Sequence, residues 1–323
     1  MTRPKILLTR PWPEAAEAWL RDRFDVTVNT SGAPLTLDQL KAAMADYDGL
    51  GPTLGDRLTA EVLGNGGARV RMIANFGVGF EHIDLTAARA AGIAVSNTPD
   101  VLTDATADIA LLLMLMTSRR ASEGERQLRE DGWKGWGTTH LLGQSLQGKT
   151  LGLVGFGRIG QATARRGAHA LDMQIAYTQR NQAPADIEAM YGARFEPDLD
   201  ALVAQADVLS LHCPGGAETY HLIDAARLRR MKPSAILINT ARGSVVDEAA
   251  LAEALRAGTI WAAGLDVYEH EPKVHPDLLG LRNCTLLPHL GSATLETRTA
   301  MGLRAAANLA DFFAGEPPRD RIA

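Results

Sequence analysis

The chain has 323 residues, a formal net charge of −5, 46% hydrophobic and 22% charged residues, an ordinary globular composition in a length that suits two domains. The acidic balance and the lack of any run of Lys or Arg remove the electrostatic grounds for a nucleic-acid partner. The longest apolar stretch, residues 109–116, is closed by Asp108 and by Arg119 and Arg120, far short of the roughly 20 residues that span a bilayer.

The N-terminus offers only Ile6, Leu7 and Leu8 as an apolar run, too short for the core of a secretory leader. Cys213 and Cys284 form no CxxC pair, so neither a zinc cluster nor a disulfide framework is indicated, and both read as reduced thiols. The expectation is a cytoplasmic protein with no membrane and no nucleic-acid partner.

In the first hundred residues, β-rich runs at 5–9, 72–74 and 93–95 alternate with helix-like stretches at 37–45 and 85–91, a βα pattern. Pro99 favours extended structure before it and a helix start soon after, which places a domain crossing at residues 97–100. The helix expected next, 101–118, is apolar on all sides in its middle, as in an element buried over most of its surface. Residues 123–147 carry Trp133 and Trp136 among Gly132, Gly135 and Gly137 without clean periodicity, and read as an arm or loop. Such an aromatic pair suits packing, including packing against a second subunit.

A second series of short apolar strands follows at 150–154, 173–177, 207–211, 235–239, 262–267 and 284–287, with helices fitting between several of them. Near-continuous apolar strands alternating with helices indicate an α/β protein with parallel sheets covered on both faces. A last helix, 295–313, ends near Gly315 and is stopped by Pro317 and Pro318.

The strongest motif is Gly155-Phe156-Gly157-Arg158-Ile159-Gly160, directly after one of these strands and before a helix-like stretch. Gly155 suits a tight turn, Gly157 a close approach to a pyrophosphate, and Gly160 close packing of helix on strand, while the helix N-terminus offers free amides. Arg158 can add a charge-assisted contact. NAD-binding chains carry an acid about 20 residues further on for the ribose 2′-hydroxyl. Here the strand ends Tyr177-Thr178-Gln179-Arg180-Asn181 with no acid. Thr178 and Arg180 therefore favour a 2′-phosphate, making NADP(H) the favoured cofactor with NAD(H) possible.

Three further groups follow later strands, at the ends where open α/β sheets bind ligands. Arg242 in Asn239-Thr240-Ala241-Arg242-Gly243 can present its fork to a carboxylate. The acid-rich stretch from Asp266 through Glu269 and Glu271 can hold a nearby histidine. His289, after Pro288, has the ordinary titration range for exchanging a proton with a substrate oxygen while hydride moves at carbon. A zinc hydrolase reading of His270, Glu271 and His275 fails on spacing, because HExxH needs its histidines one helical turn apart and Pro272 obstructs a helix.

On these motifs, together with Gly264-Leu265-Asp266-Val267-Tyr268 and Pro288-His289-Leu290-Gly291-Ser292, the chain resembles the D-isomer-specific 2-hydroxyacid dehydrogenase family over nearly its whole length. The resemblance implies a doubly wound, Rossmann-type dinucleotide-binding domain at 100–290 and a smaller flavodoxin-like substrate domain at 1–99 plus 291–323. It implies Arg242, Glu271 and His289 as the catalytic three, and Asp266 with the backbone near Ala241 holding the nicotinamide amide. Thr106, His212, Cys213 and Pro214 would line the cofactor cleft, with Thr240 and Gly291 completing the cofactor set. Gly77, Val78 and Gly79 resemble the loop whose amides receive the substrate carboxylate, with Leu54 as a pocket wall.

Residues 98–104 and the run from His275-Pro276 through Asn283 to residues 289–294 are most similar to glyoxylate/hydroxypyruvate reductases, Tyr177-Thr178-Gln179-Arg180 is similar to their NADPH-type loop, and Trp133-Lys134-Gly135-Trp136 resembles their dimer arm. The expectation is a homodimer that reduces a small 2-keto acid to the 2-hydroxy acid. A sugar-acid reductase acting on a substrate such as 2-ketogluconate, and a non-catalytic nicotinamide-sensing regulator, stay open as alternatives.

Overall fold

The computed structural model describes residues 3–64, 68–130 and 132–323. Met1 and Thr2, at the head of the N-terminal run, and Asp131, inside the expected arm, lie outside the described residues. The chain divides into two compact units, Met1–Leu102 with Ala293–Ala323, and Thr103–Ser292.

The first unit runs β1 (Lys5–Leu8), α1 (Glu14–Arg21), β2 (Asp25–Val28), α2 (Leu37–Asp46), β3 (Gly49–Gly51), α3 (Ala60–Leu63), β4 (Met72–Ala74), α4 (Leu85–Ala90) and β5 (Ala94–Ser96). It also holds the C-terminal helix Leu295–Phe313. The strands form one parallel sheet in the order β2-β1-β3-β4-β5, the flavodoxin-like order with its reversal between β1 and β3. Alternate side chains feed two cores. Ile6, Leu8, Met72 and Ala74 pack with Ala305, Ala306 and Leu309 of the C-terminal helix, while Leu7, Leu50, Ile73 and Val95 pack with Leu40 and Met44 of α2.

Composition hides two of these strands. β2 is a half-exposed edge, and β3 is Gly-Leu-Gly, a poor strand former by propensity. Its glycines are set by packing: a Cβ on Gly49 would stand 2.9 Å from Ile6 Cδ1, and one on Gly51 2.6 Å from the Trp12 ring.

The second unit runs α5 (Thr103–Ser118), α6 (Ala121–Glu130), β6 (Thr150–Val154), α7 (Arg158–Leu171), β7 (Gln174–Thr178), α8 (Ala185–Tyr191), β8 (Ala193–Phe195), α9 (Leu199–Gln205) and β9 (Val208–Leu211). It continues through α10 (Ala225–Arg230), β10 (Ile236–Asn239), α11 (Glu248–Ala257), β11 (Ala262–Leu265), α12 (Pro276–Leu279) and β12 (Cys284–Leu286). Its seven strands are all parallel, in the order β12-β11-β10-β9-β6-β7-β8. This is the doubly wound order, and the reversal between β6 and β9 opens a crevice at the strand C-termini.

Two expectations change. Part of the segment read as an arm is helix α6, which has no buried residue and so lacks the apolar stripe that marks a helix in a sequence. Arg129 pairs with Glu125 four residues earlier on its surface, and Arg120, just ahead of the helix, pairs with Glu123 in its first turn at 2.8 Å. Helix α5 is not covered all round. Ala107, Ala110, Leu113 and Met114 are buried, whereas Leu112 and Leu115 are 41% and 39% exposed. No helix among the described residues is long and apolar enough to cross a membrane.

Candidate active site

The phosphate-binding turn joins β6 to α7. Gly155 has φ +96°, and a Cβ there would meet the His212 and Cys213 backbone at 2.8 Å, so only glycine fits both the turn and the neighbouring strand end. At Gly160 a Cβ would lie 2.3 Å from the Gly155 carbonyl oxygen, which is the close helix-to-turn packing expected of the third glycine. Gly157 caps α7 without a side-chain hydrogen bond, and a Cβ there would meet nothing within 4 Å. The first-turn amides of α7 thus face open space beside an exposed Arg158, with Ile159 half-buried next to them. This cradle suits a pyrophosphate.

Beyond it, Thr178 is buried at the end of β7. Gln179 accepts from Phe156 N at 3.1 Å and donates to Asn181 O at 2.8 Å. Arg180 is exposed, and its guanidinium stands 3.9 Å from Glu218, an acid brought by a different loop. The His212 ring hydrogen-bonds Ser210 through Nε2 at 2.9 Å, and burial pushes its imidazole down to about 3, so it stays neutral. His212 Nδ1 and Thr240 Oγ1 are buried without a hydrogen-bond partner among the described residues. Unpaired buried polar atoms are costly unless a ligand or water meets them, and here they flank the strand ends where a dinucleotide would lie. Burial raises the Cys213 thiol to about 11, and Pro214 beside it is exposed.

Three loops of the same unit converge on the Glu271–His289 pair. After β10, Asn239 organises the Arg242 turn: its Nδ2 donates to Arg242 O at 2.9 Å and its Oδ1 accepts from Ala241 N at 3.0 Å. Gly243 then presses against the acid-rich loop so closely that a Cβ would fall 1.8 Å from the Tyr268 carbonyl carbon. In that loop Glu271 accepts from Tyr268 N at 3.0 Å through Oε1 and from His289 Nδ1 at 2.8 Å through Oε2. Burial pushes the Glu271 carboxyl up, but the His289 hydrogen bond, the Tyr268 amide and the charge of Arg242 outweigh it and hold the group below its ordinary value.

His289 adopts φ +53°, a left-handed conformation that costs energy outside glycine. Asp266 secures it. The His289 amide donates to Asp266 O at 2.9 Å, and the two Asp266 carboxylate oxygens accept from Leu290 N at 2.6 Å and Gly291 N at 2.8 Å. Thr106 Oγ1 ties Gly291 O at 3.3 Å. Burial raises the Asp266 carboxyl. Neither the structural role of Asn239 nor the double amide grip of Asp266 was visible in the sequence; a buried polar residue at a strand end is their only signature.

Leu54, Gly77, Val78 and Gly79 belong to the other unit, in the loops after β3 and β4. A Cβ on Gly77 would stand 3.5 Å from Leu54 Cδ2, so these residues neighbour one another. Leu54 is 37% exposed.

The family model for the D-isomer specific 2-hydroxyacid dehydrogenase NAD binding domain matches residues 111–291. The chain is 44% identical over 320 residues to a glyoxylate reductase of Thermococcus onnurineus, covering 98% of this chain and 95% of that protein. It is 39% identical over 315 residues to a glycerate dehydrogenase of Hyphomicrobium methylovorum, covering 98% of each. An NADPH-dependent glyoxylate/hydroxypyruvate reductase from Sinorhizobium meliloti, solved with NADP and malonate, superposes with a TM-score of 0.88 at 36% identity, covering 100% of this chain and 97% of that one. The chain belongs to the D-isomer specific 2-hydroxyacid dehydrogenase family. It is therefore a nicotinamide-dependent oxidoreductase acting between small 2-hydroxy and 2-keto acids.

Proposed function

We propose that this enzyme reduces glyoxylate or hydroxypyruvate to the corresponding 2-hydroxy acid with NADPH as the favoured donor. The observation that carries this reading is the 2.8 Å hydrogen bond between Glu271 and His289 beside the Arg242 turn. The nicotinamide, when bound, supplies the hydride that the carbonyl carbon accepts. Arg242 receives the substrate carboxylate and polarises the carbonyl oxygen. Glu271, ionised, takes the Nδ1–H of His289, which leaves Nε2 to give a proton to that oxygen as the C–O double bond becomes a C–OH. His289 regains its proton from water.

The unit Thr103–Ser292 holds the cofactor in this reading. Gly155, Gly157, Ile159 and Gly160 with Arg158 take the pyrophosphate; Thr178 and Arg180 take the 2′-phosphate; Thr106, His212 and Pro214 line the cleft. Thr240, Ala241, Asp266 and Gly291 stand on the nicotinamide side. Val78 and Gly79 amides, with Gly77, take the substrate carboxylate, and Leu54 walls the pocket. The NADPH-dependence of the Sinorhizobium meliloti protein supports the cofactor preference, as does Arg180 at a β7 end that carries no acid. Glyoxylate, hydroxypyruvate, pyruvate and 2-ketogluconate, each assayed with NADH and NADPH, test the reading. Failure of every acid to oxidise either cofactor overturns it, and preference for 2-ketogluconate replaces the substrate.

We further propose that the working form is a homodimer. Leu112, Leu115, Leu128, Trp133, Trp136 and Leu142 are all exposed within one 31-residue stretch, Trp136 at 81%, and an apolar surface of that kind calls for cover by a partner. Sedimentation equilibrium decides it: a monomer at micromolar concentration removes the proposal.

A further inference from the structure

The loop after β4 is held in an unusual way. The Gly77 carbonyl accepts from Asn75 Nδ2 at 3.0 Å and from Thr98 N at 3.1 Å. Val78 O accepts from Asn97 Nδ2 at 2.9 Å, and Gly79 O accepts from Asn75 Nδ2 at 2.8 Å. All three carbonyls are thus turned inward and satisfied. The Val78 and Gly79 N–H groups, by contrast, meet no acceptor among the described residues. Successive amides with their carbonyls tied back form a concavity of positive partial charge suited to an anion. One side chain makes two of these ties. Asn75 is fully buried, and its amide has donors on one side and an acceptor on the other, so a flip would set its Oδ1 against the Gly77 and Gly79 carbonyl oxygens. The flip is blocked from behind by His82, whose Nε2 stands 3.1 Å from Asn75 Oδ1. Because Asn75 already donates through Nδ2, its Oδ1 must accept, which requires the hydrogen on His82 Nε2.

We infer that Asn75 and His82 are positioning residues for the carboxylate of the 2-keto acid: His82 fixes the Asn75 amide, and Asn75 fixes the carbonyls so that the Val78 and Gly79 amides face the substrate. This rests on the reading that this loop receives the carboxylate. Neither residue touches the reacting atoms, and both lie outside the unit that holds the phosphate-binding turn and the Glu271–His289 pair. Their loss therefore falls on binding of the acid rather than on cofactor binding or the proton step.

Oxamate, a non-reactive isostere of a small 2-keto acid, serves as the probe, titrated into the enzyme saturated with NADPH. In N75S and in H82L, oxamate binds at least about fivefold more weakly and KM for the keto acid rises in proportion, with kcat within about twofold and the dissociation constant for NADPH unchanged. H82Q, which restores an N–H donor toward Asn75, recovers most of the oxamate affinity, as a merely space-filling role would not. Unchanged oxamate binding and KM in both N75S and H82L overturn the inference, as does a rise in KM that H82Q fails to relieve. V78P, which removes one of the two free amides, separates the two layers. If V78P weakens oxamate while N75S and H82L do not, only the positioning role falls. If V78P, folded and binding NADPH normally, holds oxamate as the parent does, the carboxylate reading of the loop falls with it.

Discussion

Glu271 and His289 lie eighteen positions apart in the chain, yet share a 2.8 Å hydrogen bond through Oε2 and Nδ1. The bond fixes which imidazole nitrogen is left to meet a substrate. It also keeps the carboxyl ionised, since Glu271 is held below its ordinary value despite its burial.

Replacing His289 by Ala removes the proposed proton donor and lowers kcat by about 10²–10⁴-fold, the usual worth of a positioned acid–base group. Replacing Glu271 by Gln keeps the shape and loses the charge, for a smaller fall of about tenfold or more. The sign of the pH effect follows from the lowered Glu271 carboxyl: its contribution is complete above the ordinary glutamate value of 4.5 and is lost only as pH falls through the lowered one. Steady-state rates of parent and E271Q down to the acid limit of folding check this, and an acid limb above 4.5 assigned to Glu271 contradicts it.

The glycines of the phosphate turn separate packing from binding. G160A forces a Cβ to 2.3 Å from a carbonyl oxygen and lowers thermal stability, by roughly 1–3 kcal/mol as an overpacking strain. G157A meets nothing within 4 Å and keeps the parental melting temperature, but weakens cofactor binding because the methyl group occupies space the pyrophosphate needs. Thermal melts paired with cofactor titrations read both, and a G157A protein that binds cofactor normally counts against the cradle.

Arg180 and Glu218 face each other at 3.9 Å, beside the β7 end proposed to take the 2′-phosphate. R180A weakens NADPH severalfold and leaves NADH nearly unchanged, while E218Q removes a like charge near a 2′-phosphate and tightens NADPH. Both effects shrink with added salt, as for any exposed pair. Dissociation constants at two ionic strengths measure them; equal losses of NADH and NADPH in R180A refute a 2′-phosphate contact.

The C-terminal segment is fastened by Asp320, whose carboxylate accepts from Arg304 at 2.7 and 2.9 Å and from Asn308 at 2.9 Å. Burial pushes the Asp320 carboxyl up, but these donors hold it below the ordinary 3.8. A depressed carboxyl stabilises the fold fully above its unfolded value and loses that contribution as pH falls through the native one. D320N leaves the partly buried Arg304 with the longer 3.5 Å pair to Asp100 and costs about 1.5–3 kcal/mol, the worth of hydrogen bonds to a charged group. Urea unfolding at neutral pH and at pH near 3 follows this, with the gap between parent and D320N narrowing in acid.

The amino-acid order alone determined the class of fold, because two-sided apolar strands alternating with helices have few ways to bury both faces except a parallel sheet between helical layers. It also determined the phosphate turn, since Gly160 answers to the Gly155 carbonyl five residues before it and Gly155 to its own positive φ. The edge strand β2 and the glycine strand β3 escaped it. Their place is set by neighbours such as Ile6 and Trp12 rather than by propensity. Helix α6 escaped because it buries nothing.

The arrangement of the site was decided only in three dimensions. Gly243 brings the Arg242 turn against Tyr268, Asp266 clamps the left-handed His289, and Asn75, backed by His82, ties two loop carbonyls inward while Asn97 ties the third. Each is a contact between residues distant along the chain or a choice of hydrogen-bond direction, and neither leaves a periodic trace in the sequence. The motifs name a proton-carrying histidine and an acid-rich stretch that can hold it, but only the folded loops place Oε2 of Glu271 on Nδ1 of His289.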